Sequence, residues 1–517
     1  MKRFILFTFY IFLLVPLFSF SQSSMNMNLL GTYDYNSTEG NDIWGWVDAN
    51  SNEYALVGLR NGFSVVDVSN PSAPVEKFFI ADINSIWRDI KTWGDYAYIT
   101  TEADAGLLIV DLTDMTGNTY WHISQFTNDN GGNVSFTSAH NIYIDENGIA
   151  YIFGAGGSGW QSNGAIFLDV DANPTNPVYL GEWSDEYIHD GMVRGDTMWA
   201  GCIYAGKVFV VDVSNKSNPS TIGSHSTPNN FTHNAWVSDN GNYVFTTDEK
   251  TNAYITAYDV SDLNNLHEVD RIQSNSGSNS IPHNTFVDGN FLITSYYRDG
   301  TTVHDITYPD NMIQVAYYDS YSGSGAGYDG CWGTYPFLPS GNIISSDINS
   351  TSGGKGRLLI YGRDFQQASF FSGTVTDGIT GLPITNTNIE VVNTSYTTTT
   401  NLVGEYSLGT IDPGTVQVLF SAIGYVPITL SLSLSSGSNT ISDVVLYSTI
   451  SSLDGCTDPS ACNYDGTATT DDGTCEYTSC IACTEDSPSG LSAIDIIHDR
   501  ATIVWDNMND ANCMVDQ

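Results

Sequence analysis

Ser64-Val65-Val66-Asp67-Val68-Ser69-Asn70-Pro71 is the stretch on which the reading of this chain turns. An apolar run ends in Asp, and an Asx/Pro turn follows it. The pattern returns as Leu108-Ile109-Val110-Asp111-Leu112, Phe167-Leu168-Asp169-Val170, Phe209-Val210-Val211-Asp212-Val213-Ser214-Asn215, Ala257-Tyr258-Asp259-Val260-Ser261 and Val303-His304-Asp305-Ile306. A degenerate copy is Leu358-Leu359-Ile360-Tyr361-Gly362. The aspartates are spaced by 44, 58, 43, 47 and 46 residues. A period near 45 with several strands per unit predicts β-propeller blades.

Each unit resolves into four short strands punctuated by Gly, Asn and Asp. Innermost strands begin near Trp44, Arg88, His140, His189, His233, His283 and Cys331, which makes seven blades. The seventh lacks a fourth strand of its own. Asn28-Leu29-Leu30-Gly31-Thr32-Tyr33-Asp34 resembles Val178-Tyr179-Leu180-Gly181-Glu182-Trp183, an outer strand, and is expected to close the ring. The expected fold is all-β: a seven-bladed propeller over 25–364 followed by β-sandwich modules.

The chain has 517 residues, with 16 Lys+Arg against 58 Asp+Glu and a net charge of −42. Phosphate backbones repel such a chain, which excludes a nucleic-acid binder. A hydrophobic content of 41% excludes a disordered acidic polymer. Lys2 and Arg3 precede an apolar run from Phe4 to Phe18, and Ser19-Phe20-Ser21-Gln22 follows it. Residues 1–21 therefore read as a secretory signal peptide, and the mature protein is expected outside the cell or on a bacterial cell surface. No other run is apolar enough for a transmembrane helix. Six of the eight cysteines lie between Cys456 and Cys513, which in an exported chain reads as disulfides.

On the Val-Val-Asp-Val-Ser-Asn-Pro repeats, residues 28–364 resemble the LVIVD-repeat propellers, the choice-of-anchor B group. That resemblance implies an exported bacterial surface protein with a variable C-terminal attachment module, and no defined activity. Gly373-Thr374-Val375-Thr376-Asp377, Gly404-Glu405-Tyr406-Ser407-Leu408 and Ala422-Ile423-Gly424-Tyr425 resemble a carboxypeptidase-regulatory-like β-sandwich, placed at 368–448. It implies a non-catalytic spacer, sometimes associated with carbohydrate. Residues 454–483 resemble the Asp- and Cys-rich repeats of exported adhesins; Ca²⁺ on Asp458, Asp465, Asp471 and Asp472 stands beside a disulfide-stapled linker as the two readings. Residues 486–517 resemble the opening of a fibronectin type III domain, and an anchoring signal is expected beyond residue 517.

The most specific constellation for chemistry is His140-Asn141, His189-Asp190, His233-Asn234 and His283-Asn284. Each pair opens an innermost strand, and the spacings of 49, 44 and 50 follow the blade period, so all four converge on one mouth of the channel. Antiparallel second strands return to that mouth, bringing Glu102, Asp248, Glu249, Arg298 and Asp347 nearby. Imidazoles with carboxylates suit a transition metal such as Zn²⁺, Cu²⁺ or Mn²⁺. The alternatives are hydrogen bonding between neighbouring blades and direct reading of a ligand. Trp160, in a Gly-rich loop, is a candidate for stacking on a sugar, and the insertions 113–139 and 155–164 are expected to shape the mouth. The function expected is binding or display of an extracellular glycan or protein ligand. The alternative is a metal-dependent propeller enzyme, lyase-like or copper-oxidase-like, with Tyr296 as a proton donor and no catalytic residue assigned. The chain has no phosphate loop, no Gly-x-Ser-x-Gly elbow and no His-Glu-x-x-His helix.

Overall fold

The computed structural model describes residues 23–127, 133–156, 164–449, 454–477 and, as backbone, the strands Ser492–Ile497 and Arg500–Val504. The expected leader 1–21, Trp160 and most of the insertion 155–164, the end of 454–483 and most of 486–517 lie outside the described residues. Among the described residues every regular element is a strand, and no helix is long and apolar enough to cross a membrane.

Seven four-stranded antiparallel blades surround an axis. Their innermost strands are Gly40–Val47, Arg88–Trp93, Asn141–Ile144, Asp190–Arg194, Thr232–Val237, Thr285–Asp288 and Cys331–Tyr335. The last of these packs back against the first, so the ring is closed. Strands in the blades are buried on both faces by their neighbours; Tyr54, Leu56, Val65, Ile99 and Val110, for instance, form one core between the first two blades. The repeated aspartate ends the third strand and accepts a backbone N–H beyond it: Asp67 from Ser69 at 3.1 Å, Asp212 from Ser214 at 2.9 Å, Asp259 from Ser261 at 2.8 Å. These Asx turns set the direction of the fourth strand.

The N-terminal strand Met27–Asp34 pairs with Arg357–Arg363 and supplies the outer strand of the seventh blade. Its bulge falls between Leu29 and Gly31, and the bulge of Val178–Trp183 falls at the equivalent Leu180. Gly31 and Gly181 are thereby pressed onto the turn of the next blade, where a β-carbon would overlap the carbonyl oxygen of Pro71 or of Lys216. Neither carbonyl can yield without moving a turn. Gly181→Val is expected to destabilise the propeller by about 3 kcal/mol, read as a lower urea midpoint at unchanged m-value. One contact goes beyond the sequence reading: Ser24–Met25 adds a fifth strand to the sixth blade, so the N-terminal segment ties two blades together.

The second domain is a two-sheet sandwich. Ser369–Asp377 pairs with Glu405–Thr410 and the parallel strands Asn439–Ile441 and Val444–Leu446. Asn388–Val391, Thr397–Thr399, Gly414–Ser421 and Ile428–Leu434 form the facing sheet. Phe371, Val375, Ile389, Val418 and Phe420 fill the space between them. The linker is seated on the propeller: the Ala368 N–H donates to Asp305 at 2.6 Å, and Phe370 joins the core of Val303, Ile313 and Val315. Asp305 therefore serves its own turn and the domain junction. Beyond the sandwich, Cys456 and Cys475 form a disulfide, and the two terminal strands pair as an antiparallel hairpin.

Candidate functional site

The two residues of each His-Asn or His-Asp pair do different work. The second belongs to a ring of acids and amides that joins blades: Asp42 accepts the Ile90 N–H at 3.2 Å, Asp89 the Ile142 N–H at 3.3 Å, and Asn234 the Thr285 N–H at 3.2 Å. Asp89 also accepts from Asn141 at 2.8 Å and from Lys91 at 2.6 Å, and Lys91 lies 4.4 Å over the Trp44 ring. This buried layer fills the channel, leaving a cavity of only 10 Å³ directly beneath the histidines. The mouth above it is a blind pocket of 560 Å³.

Of the first residues, His140 and His189 line that pocket, while His233 and His283 are buried beneath it around the small cavity. Successive ring centroids of His140, His189, His233 and His283 are 3.8, 4.3 and 4.3 Å apart, an unbroken arc across four blades. Trp332 continues it, 4.9 Å from His283, and Trp87 lies 6.4 Å from His140 at the other end. His233 and Trp332 occupy bulges, between Thr232 and Asn234 and between Cys331 and Gly333. The extra residue of a bulge escapes the pleat and re-aims its side chain, here towards the axis.

His283 Nδ1 lies 2.6 Å from the Trp332 carbonyl oxygen and must donate to it, so its Nε2 carries the lone pair. His140 Nδ1 lies 2.6 Å from Glu102. By contrast His189 Nδ1 and both ring nitrogens of His233 are buried with no hydrogen-bond partner among the described residues. Each such nitrogen costs about 1–3 kcal/mol relative to a satisfied one. Burial, then the neighbouring imidazoles, hold His189 and His233 far below the ordinary histidine range, and burial takes His283 down to about 3. All three are neutral at physiological pH.

Glu249 lies against the arc. Its Oε1 accepts the Tyr297 hydroxyl at 2.7 Å, its Oε2 is 3.8 Å from His233 Nε2, and burial pushes its carboxyl up to about 7. Among the described residues, His189, His233 and Glu249 are the metal-ligating set whose donor atoms converge, all within 4.8 Å of one another. Around them stand the aromatic rings of Trp87, Tyr187, Tyr204, Tyr328 and Trp332, with Glu39, Glu102 and Arg60 at the rim.

Other candidates are placed elsewhere. Asp248 accepts Thr227 Oγ1 at 2.5 Å and the N–H groups of Asn229 and Phe231 at 2.8 and 3.1 Å, fixing the loop before its own blade's inner strand. Arg298 pairs with Asp329 and donates to the Ser324 carbonyl at 3.0 Å. Asp347 accepts from Ser320 at 3.0 Å. Tyr296 donates to the Ala253 carbonyl of the preceding blade at 3.1 Å; its neighbour Tyr297, at φ 21°, is the tyrosine that reaches the pocket. The insertion 113–139 does not line the mouth among its described residues: Phe126 stacks on Phe136 at 5.0 Å, and its strands Gln125–Thr127 and Asn133–Ser135 close on each other. Asp458, Asp465, Asp471 and Asp472 each accept the N–H of the residue two further on, and no three bring their oxygens together. Sequence reading missed Trp87, Tyr187, Tyr204, Tyr297, Tyr328 and Trp332 as pocket walls. Alignment of the strand starts at Arg88 and Cys331 stopped one residue away from the two tryptophans.

Fold and site define a closed seven-bladed propeller with a blind mouth floored by neutral imidazoles, coupled to a β-sandwich. The propeller carries LVIVD repeats, matched at residues 49–82, 87–117 and 204–227, and the sandwich is a carboxypeptidase regulatory-like domain, matched at 371–447. Among solved structures the chain is similar to the β-propeller domain of Cps50 (Swd1) from Myceliophteria thermophila, at 10% identity and a TM-score of 0.44, over 64% of this chain and 99% of that one. No curated protein matches the chain.

Proposed function

We propose that the protein is exported and uses the propeller mouth to bind a neutral saccharide, with the sandwich acting as a spacer. The observation that carries the reading is the pairing of exposed rings with acids in one blind pocket. Tyr204 and Tyr328 are 79% and 57% exposed, although large aromatic side chains are usually covered. Rings so placed offer faces to the C–H surface of a sugar, while Glu39, Asn41 and Glu102 offer acceptors and donors to its hydroxyls. The net charge of −42 disfavours polyanionic glycans. The disulfide between Cys456 and Cys475 supports export to an oxidising compartment.

A glycan array read with the full chain, followed by calorimetry on the best neutral saccharide, tests the reading. Tyr204→Ala and Tyr328→Ala are each expected to weaken binding about fivefold, the equivalent of about 1 kcal/mol per lost ring contact. Retained affinity in both variants, or an array empty of neutral sugars, overturns it. New reducing ends in the incubation would make the site catalytic rather than a receptor.

A further inference from the structure

We infer that His189, His233 and Glu249 form a binding site for a divalent first-row transition ion at the floor of the mouth. The inference stands apart from the saccharide reading, because it concerns the ion alone.

His140 and His283 bond to neighbouring blades, through Glu102 and the Trp332 carbonyl, but His189 Nδ1 and both nitrogens of His233 have no such task among the described residues. Blade-to-blade bonding at this level is carried by Asp42, Asp89, Asn141 and Asn234, the last two being the residues that follow His140 and His233. What remains at the axis is an arc of imidazoles at near-contact distance, with His189 Nδ1 and both nitrogens of His233 buried and unpartnered among the described residues. Each neutral imidazole carries one N–H and one lone pair, and buried lone pairs left without a donor are unfavourable; a cation satisfies several of them at once.

Nitrogen and carboxylate ligands lie about 2.0–2.2 Å from such an ion, hence about 3–3.5 Å from each other. The donor atoms now lie within 4.8 Å of one another, so binding requires side-chain rotations that draw them together by more than about an ångström. Two imidazoles and one carboxylate leave coordination positions open towards the pocket, the arrangement of a site that receives an exogenous ligand. No cysteine belongs to the set, so hard-to-borderline ions such as Zn²⁺ or Mn²⁺ fit better than soft ones. The surroundings orient a ligand as metal sites require: the Tyr297 hydroxyl holds one oxygen of Glu249 and leaves the other facing His233.

The test uses the purified full chain, stripped with a chelator and titrated with ZnCl₂ in a calorimeter, with thermal unfolding followed in parallel. One ion per chain and a rise of several degrees in Tm are expected. His189→Asn and Glu249→Gln are each expected to lose at least tenfold in affinity and most of the thermal shift; Glu249→Gln keeps an oxygen for Tyr297. Cu²⁺ is expected to report nitrogen coupling from imidazole by electron paramagnetic resonance, lost stepwise with His189→Asn. Absence of saturable binding of Zn²⁺, Mn²⁺ and Cu²⁺ overturns the inference. So does Zn²⁺ affinity unchanged in both variants, which would put the ion on the acidic surface. Saccharide binding that persists in chelator, beside a metal site that behaves as stated, would leave this inference intact and separate the two readings.

Discussion

A chain that starts at residue 35 will fail to fold as a monomer. Removing Met27–Asp34 strips the outer strand from the seventh blade and leaves Arg357–Arg363 as a bare edge. The loss includes seven residue pairs of backbone ladder, the buried Met27 side chain and the ion pair of Arg357 with Asp34 at 2.6 Å. Ladder bonds at about 1 kcal/mol each and a buried Met at about 2 kcal/mol sum to a large part of the 5–15 kcal/mol by which domains are stable. The bare edge is also a template for pairing with another copy, so the truncated protein is expected in aggregates. Light scattering and urea unfolding of the shortened chain check this, and a synthetic peptide of residues 23–36 added in trans should restore part of the monomer. A monomer with an unchanged urea midpoint would show that closure contributes nothing.

Arg88→Met is the second change with a large expected effect. Arg88 is fully buried between the first two blades, with Nε donating to the Leu59 carbonyl at 2.9 Å and the two terminal nitrogens to Asp82, at 2.6 Å, and to the Ile83 carbonyl. Replacing it leaves the Asp82 carboxylate buried without its cation, and breaking such a pair costs about 3–5 kcal/mol. The pH dependence carries a sign. Burial works to raise the Asp82 carboxyl, but the hydrogen bond from His122 and the charge of Arg88 outweigh it and hold the group at about 2. A carboxyl held below its ordinary value stabilises the fold above about pH 4, and that contribution is lost as the pH falls through about 2. In the variant burial dominates, so the deficit relative to wild type should narrow as the pH is lowered from 7 towards 4. Urea midpoints across that range decide it; a deficit that stays constant would remove Asp82 from the account.

The parts of this molecule legible in the residues are those in which a short segment satisfies itself. The Asp67 and Asp212 turns bond within two residues, so their chemistry recurs in the text at the blade period and announces seven blades. Leu30-Gly31 repeats Leu180-Gly181 because both place a bulge and a bare α-carbon against the next blade, which made the closing strand recognisable. The histidines 140, 189, 233 and 283 were legible for the same reason: one period, one place around the axis.

What the tertiary structure alone decided is which of two adjacent side chains faces that axis. Glu249 rather than Asp248, Tyr297 rather than Tyr296, and Trp332 beside Cys331 reach the pocket because strand ends and bulges shift the pleat by one residue. Asp305, at the repeat position of Asp67 and Asp212, caps its own turn and also accepts the Ala368 N–H of the domain junction. A periodic sequence records how often a position recurs; the distances across the channel come from the tilt and closure of seven sheets, and those are set by packing between residues hundreds of positions apart.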